Sequence, residues 1–227
     1  MNHPKQHLIV FAKAPRAGFA KTRLIPALGA QGAADLANRL FLHTTATAIS
    51  LDSSKVQHLE LCCFKNGNND QVHNDQVHND QIHNDDFFEN WLSQQTSPNR
   101  WRLTEQVGAD LGARMHHALS TALTQSDRAI VIGTDSPALT AAAIEQAFEA
   151  LEDHDAVFIP AFDGGYALVG LRAPIGAIFN DMVWSTHDVM AVTRHRLKDL
   201  NKSWLELPTI HDIDEPVDLN QLPAGWL

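Results

Sequence analysis

Two sets of charged residues in this sequence are spaced for work on a phosphate ester. The first is basic: Lys13, Arg16, Lys21 and Arg23 fall within one short loop that also carries Gly18. Four cations this close together, on a chain whose formal net charge is −10, point to a specific anion, and phosphate is the first candidate. Gly18 permits close backbone approach, and Arg23 can grip a phosphate with two hydrogen bonds. A helix beginning after the loop would add unpaired N–H groups. The second set is acidic. Asp135 lies in Gly133-Thr134-Asp135-Ser136-Pro137, and Asp212, Asp214, Glu215 and Asp218 crowd the stretch 211–219. An Asp emerging from a strand end suits a divalent cation or a hydroxyl, and Mg²⁺ asks for only one or two carboxylates beside phosphate oxygens and water.

Each set also has a plainer reading. The basic loop suits a solvated turn. Asp135 and Pro137 suit a capped turn. Residues 212–218 suit an acidic helix start, although an extended 212–214 would put Asp212 and Asp214 on one face. Asp163-Gly164-Gly165-Tyr166 reads either as a hairpin turn or as a close approach to ligand. One strong rival is excluded. A Walker A loop needs glycines where this chain has Pro15 and Ala20 before Lys21-Thr22, so a P-loop NTPase is ruled out.

The elements that must position these residues alternate. Apolar runs at 7–12, 56–64, 129–132, 155–160 and 166–171 predict strands. Helical spacing predicts helices over 29–50, about 86–95, 109–125, 140–151 and 187–200, with Thr140 as an N-cap. Such alternation predicts an α/β fold with a mostly parallel sheet covered by helices on both faces. The basic loop and Asp135 then fall beyond strand carboxyl ends, where open α/β sheets bind ligands.

Composition narrows the class further. The 227 residues, 44% apolar, fit a single domain with its own core. No apolar run reaches membrane-span length, and the first residues lack a signal-peptide pattern, so a cytoplasmic location is expected. The acidic balance argues against a nucleic-acid partner. Cys62 and Cys63, the two cysteines, are adjacent and read as buried thiols. One segment breaks the pattern: Asn69-Asp70-Gln71-Val72-His73 recurs at 74–78 and, with Ile82 for Val, at 79–83. A five-residue period with one apolar residue per repeat buries little surface. It reads as a low-complexity insertion at about 68–85. A metal tract through His73, His78 and His83 and a short β-solenoid are the alternatives.

Six motifs in order carry a family resemblance. They are Phe11-Ala12-Lys13-Ala14-Pro15 with Gly18 and Lys21-Thr22-Arg23-Leu24; Gln106 to Met115; Gly133 to Pro137; Asp163 to Tyr166; Trp184-Ser185-Thr186; and Asp212 to Leu219. The set resembles the nucleotide-diphospho-sugar transferase (GT-A-like) superfamily. Within it, the chain is similar to a bacterial glycosyltransferase family associated with radical-SAM proteins and, in some genomes, with arsenosugar biosynthesis. More distantly it resembles cytidylyl- and guanylyltransferases.

The resemblance implies a Rossmann-like three-layer sandwich and a transferase of a nucleotide-activated donor, most simply a sugar nucleotide, with a small-molecule acceptor. It implies Lys13, Arg16, Gly18, Lys21 and Arg23 around the phosphates. Asp135 and Asp214 would hold Mg²⁺ or Mn²⁺, and Asp135 would serve catalysis as well. Asp163 is then the candidate base, with Gly164, Gly165 and Tyr166 toward the acceptor. Departures are visible: Glu215 stands where relatives often have Thr, Val217 where they often have Glu, and Ser136 interrupts any Asp-x-Asp after the central strand. Nucleotidyl transfer to a small phosphorylated or acidic metabolite, and nucleotide binding without catalysis, are the alternative functions.

Overall fold

In the computed structural model the chain is described for residues 4–65 and 84–226. The pentapeptide repeat, with His73, His78 and His83, lies outside the described residues. Its last two expected positions, Asn84 and Asp85, instead open a helix.

Seven strands form one sheet in the order β3-β2-β1-β4-β6-β5-β7. They are β1 (Gln6–Ala12), β2 (Val56–Cys63), β3 (Trp101–Glu105), β4 (Arg128–Ile132), β5 (Ala156–Pro160), β6 (Tyr166–Leu171) and β7 (Trp204–Glu206). The helices are α1 (Ile25–Ser50), α2 (Asn84–Ser93), α3 (Leu111–Ala122), α4 (Ala141–Ala150) and α5 (Val189–Asp199). β1 pairs in parallel with both β2 and β4, while β6 runs antiparallel between β4 and β5. The chain winds outward from β1 to β3 and then returns to β1's other side with β4. The β1/β4 boundary is therefore the topological switch point, where loops leaving neighbouring strands diverge and open a crevice.

Alternation along the strands builds the two cores. Leu8, Val10, Leu59, Leu61, Ile130 and Ile132 pack one face against Phe41 of α1, Phe88 of α2 and Phe148 of α4. Ile9, Phe11, Val131, Phe158 and Val169 pack the other against Met115 and Leu119 of α3 and Met190 and Leu197 of α5. Both faces are covered, which is why these strands read as continuous apolar runs. A third cluster joins Leu24, Leu36 and Leu40 to Ile213, with Trp226 packed against it. That cluster ties the chain's last segment to the start of α1.

Thr140 caps α4, accepting from Ala143 N–H at 3.2 Å. Asp110 caps α3 in the same way, at 2.8 Å. α1 starts four residues earlier than its apolar spacing predicts, and Gly29, at φ 71°, marks a kink in it. A 3-10 turn at Thr22–Leu24 separates the basic loop from α1. The loop therefore does not run directly into a long helix N-terminus, as the sequence predicts. β3 and β7 have no counterpart among the expected strands.

Candidate active site

The basic and acidic sets meet at the switch point. Lys21 Nζ lies 2.5 Å from Asp135 Oδ1 and 3.4 Å from Asp214 Oδ1, with its side chain only 7% exposed. Arg23 Nη1 lies 2.9 Å from Asp214 Oδ2. Three segments bring these groups together: the loop after β1, the loop after β4, and the stretch following β7. The last is stitched to the second, because Ile213 N–H donates to the Asp135 carbonyl at 2.9 Å. Ile213 itself is fully buried and anchors the pair of aspartates that flank it.

Lys21 has φ 48° and ψ 45°, the left-handed region. For a residue with a side chain this costs about 1 kcal/mol or more. It aims the side chain inward, where two carboxylates compensate. Burial alone lowers the pKa of an ammonium, but Asp135 and Asp214 outweigh it and hold Lys21 above its ordinary value. Asp212 shows the opposite pressure. Burial pushes its carboxyl up to about 6, and the charges of Asp163, Asp214 and Asp135 add to the effect. Asp163 is thereby placed within electrostatic reach of the aspartates, although it stands on the β5–β6 hairpin.

A cleft of about 690 Å³ opens here, a size typical of small-molecule sites. Lys13, Lys21, Arg23, Arg114, Asp135, Tyr166 and Asp214 line it. The Arg114 guanidinium lies 4.6 Å from the Phe64 ring centroid, and Lys13 Nζ lies 5.7 Å from the same centroid. Phe64 thus carries two cations at the cleft wall.

Not every expected residue falls in the cleft. Arg16 does not line it; its guanidinium lies over the ring of Phe19, which does. Gly18 has φ 81° and turns the loop. Gly164, at φ 93°, faces the chain rather than a ligand: a Cβ there would come 2.2 Å from the His187 carbonyl oxygen. Asp163 Oδ1 accepts from Gly165 N–H at 2.8 Å, so the hairpin-turn reading of this motif describes its backbone. The Tyr166 hydroxyl is buried among the described residues, and burial pushes its pKa up. Its ring packs against Phe158 and Trp184. Asp218 is a capping residue, accepting from the N–H groups of Asp214 and Glu215 at 3.0 and 2.7 Å. Arg114 is an addition; it lay inside the Gln106 to Met115 motif, and its signal was a cation in the first turn of a helix that follows a strand.

The donor set fits a hard divalent cation. Asp135 and Asp214 each turn an oxygen toward one shared cationic atom, Lys21 Nζ, and all-oxygen donors suit Mg²⁺. Among the described residues no group of three or more His, Cys, Asp or Glu side chains is arranged for a metal. A bound ion would therefore complete its shell with substrate oxygens and water. Cys62 and Cys63 are buried and not joined by a disulfide. Burial pushes the Cys62 thiol up to about 12, which leaves it unreactive. Among the described residues no helix is long and apolar enough to cross a membrane.

The chain resembles known proteins across most of its length. The family model described as "Uncharacterized protein conserved in bacteria (DUF2064)" matches residues 68–186. A structure from Desulfovibrio desulfuricans G20, named "putative nucleotide-diphospho-sugar transferase", shares 29% identity, with 95% of this chain and 84% of that one covered, at a TM-score of 0.79. The 4-diphosphocytidyl-2C-methyl-D-erythritol synthase of Anaerococcus prevotii DSM 20548 aligns over 97% of both chains, at 10% identity and a TM-score of 0.59. CMP:2-keto-3-deoxy-manno-octonic acid synthetase complexed with CTP aligns over 96% of both, at 9% identity and a TM-score of 0.55. At those identities the last two share the fold alone. No curated protein matches the sequence significantly.

Proposed function

The chain belongs to the bacterial family DUF2064, and from that membership and the charge layout of its cleft we propose a transferase that uses a sugar nucleotide as donor. The observation that carries this is the convergence of Lys21 on Asp135 and Asp214 at a cleft also lined by Lys13, Arg23 and Arg114. Its cations offer positive charge to a diphosphate, and its two carboxylates offer oxygens to a metal cation. The name of the Desulfovibrio relative supports the same donor class.

Asp135 and Asp214 would hold Mg²⁺ or Mn²⁺, which when bound supplies positive charge against phosphate oxygens. Lys13, Lys21, Arg23 and Arg114 would bind and orient those phosphates, a task that accounts for much of the catalysis in such reactions. In glycosyl transfer an acceptor hydroxyl oxygen bonds to the anomeric carbon. The bond from that carbon to the diphosphate breaks, its electrons leave with the nucleoside diphosphate, and the hydroxyl proton passes to a carboxylate, with Asp163 the candidate.

A second reading is nucleotidyl transfer, in which a substrate oxyanion attacks the α-phosphorus and pyrophosphate leaves. The observation that favours it is the number of cations: four basic side chains line the cleft, more than a diphosphate alone requires.

Thermal denaturation with a panel of sugar nucleotides and nucleoside triphosphates, with and without Mg²⁺, tests both readings. A ligand at about a hundred times its Kd stabilises by about 2.7 kcal/mol, or roughly 5–10 °C for a chain of this size. The larger shift is expected from a sugar nucleotide with Mg²⁺, and Asp135→Asn with Asp214→Asn is expected to abolish its metal-dependent part. A metal-dependent preference for a triphosphate, with pyrophosphate released, would select the second reading. No shift with any nucleotide would refute both.

A further inference from the structure

Phe162 leaves β5 at the hairpin with 63% of its surface exposed. It is not loosely placed. Its ring lies against His211, with centroids 4.0 Å apart and planes 20° from parallel. The backbone fixes this pair: Phe162 N–H donates to the Ile210 carbonyl at 3.2 Å, and Ile210 N–H to the Pro160 carbonyl at 3.0 Å. One side of the phenyl ring is thus backed by the imidazole, and much of the rest is open.

The pair stands at the same end of the sheet as the charged site. The segment 210–214 runs from the end of β5 to the end of β4, held at Ile210 to the first and at Ile213 to the second. His211 and Asp214 are three residues apart, about 10 Å along an extended chain. Asp212 follows His211 on this segment, before Asp214, and Asp163, next to Phe162 in sequence, is close enough to act on the Asp212 charge. Lys21 and Arg23 contact Asp214, at the far end of the segment. The near end thus pairs an open aromatic face with carboxylates. Such a face attracts the C–H side of a ring, and carboxylates accept hydrogen bonds from hydroxyl groups. A ligand bearing phosphate or carboxylate would meet like charge there.

We propose that Phe162, backed by His211, is the floor of the acceptor subsite, and that it takes a hydroxylated ring without negative charge, stacked on Phe162 with hydroxyls toward Asp163 and Asp212. This rests on the transferase reading above and deepens it. A phosphorylated or acidic acceptor, which nucleotidyl transfer needs, is disfavoured at this end, whereas a sugar hydroxyl is suited to it.

The test uses the full chain and saturation-transfer NMR with methyl glucoside, glucosamine and a hexose phosphate, alongside calorimetric titration of the nucleotide. Methyl glucoside or glucosamine is expected to bind at least about tenfold better than the hexose phosphate. Phe162→Ala is expected to weaken that binding by about tenfold and Phe162→Trp to retain it, with nucleotide affinity within about twofold of wild type in both. Three results would overturn the proposal: preference for the hexose phosphate, no ring ligand bound, or undiminished binding by the Ala variant. The ring measurement is made without nucleotide. A wild-type chain that binds rings through Phe162 but no nucleotide would sink the transferase reading and leave the ring site standing.

Discussion

Lys21 is one cation serving two carboxylates, and this makes opposite predictions for two ligands. Lys21→Met removes the ammonium that competes for Asp135 and Asp214. Mg²⁺ alone is then expected to bind more tightly, by about tenfold, while nucleotide binds about tenfold more weakly for want of a phosphate contact. Calorimetric titration of each ligand separates the two effects; loss of both affinities would mean that Lys21 only supports the loop. The four principal charges, Lys21, Arg23, Asp135 and Asp214, were legible because each sits in a short charged motif. Their mutual pairing was not, since Lys21 and Asp214 are 193 positions apart in sequence. Arg16 shows the limit from the other side. It shares the loop's charge pattern, yet its guanidinium turns to Phe19, a choice set by side-chain packing that spacing does not encode.

At the scale of elements, the five central strands could be read from their apolar runs, and the two missed strands are the sheet's edges, β3 and β7. Edge strands have one unpaired side and are commonly short and mixed in polarity. Trp-Arg-Leu-Thr-Glu and Trp-Leu-Glu carry no apolar run to betray them. Three strands are also tied by a buried polar chain. His7 Nε2 on β1 lies 3.0 Å from Glu60 Oε2 on β2, and Thr104 on β3 donates to Glu60 Oε1 at 2.6 Å. Burial alone raises the Glu60 pKa, but the close His7 imidazole and the Thr104 hydrogen bond win and hold it below its ordinary 4.5. A depressed carboxylate contributes stability above its unfolded pKa and loses it as pH falls through the folded value. Glu60→Gln is therefore expected to cost about 2 kcal/mol at pH 7. That difference should narrow in urea titrations as pH falls below the unfolded glutamate value of about 4.3; a constant difference would contradict the linkage. The β5–β6 hairpin yields another prediction. Gly164→Ala adds a Cβ against the His187 carbonyl at a left-handed position, and should cost about 2 kcal/mol or more by chemical denaturation. Gly165→Ala, at a position without positive φ and with only the Asp163 carboxylate 3.2 Å away, should cost less.

For the whole molecule, the layered architecture was legible because both faces of the sheet are covered, which turns strands into apolar runs and helices into one-sided stripes. The strand order was not, yet it decides where the chemistry sits. β4 returns beside β1 after the chain has laid down β2 and β3, and only that return sets the basic loop against Asp135. Closing the site takes one further step, the docking of 210–214 through Ile213. Lys21 is made before Asp214, with 193 positions between them. At roughly 5–20 residues per second, the ribosome needs about ten seconds or more to deliver the second carboxylate. A nascent chain holding the sheet but not Asp214 would have the basic loop facing a single aspartate. The cleft therefore gains its second carboxylate only after every strand of the sheet has been made.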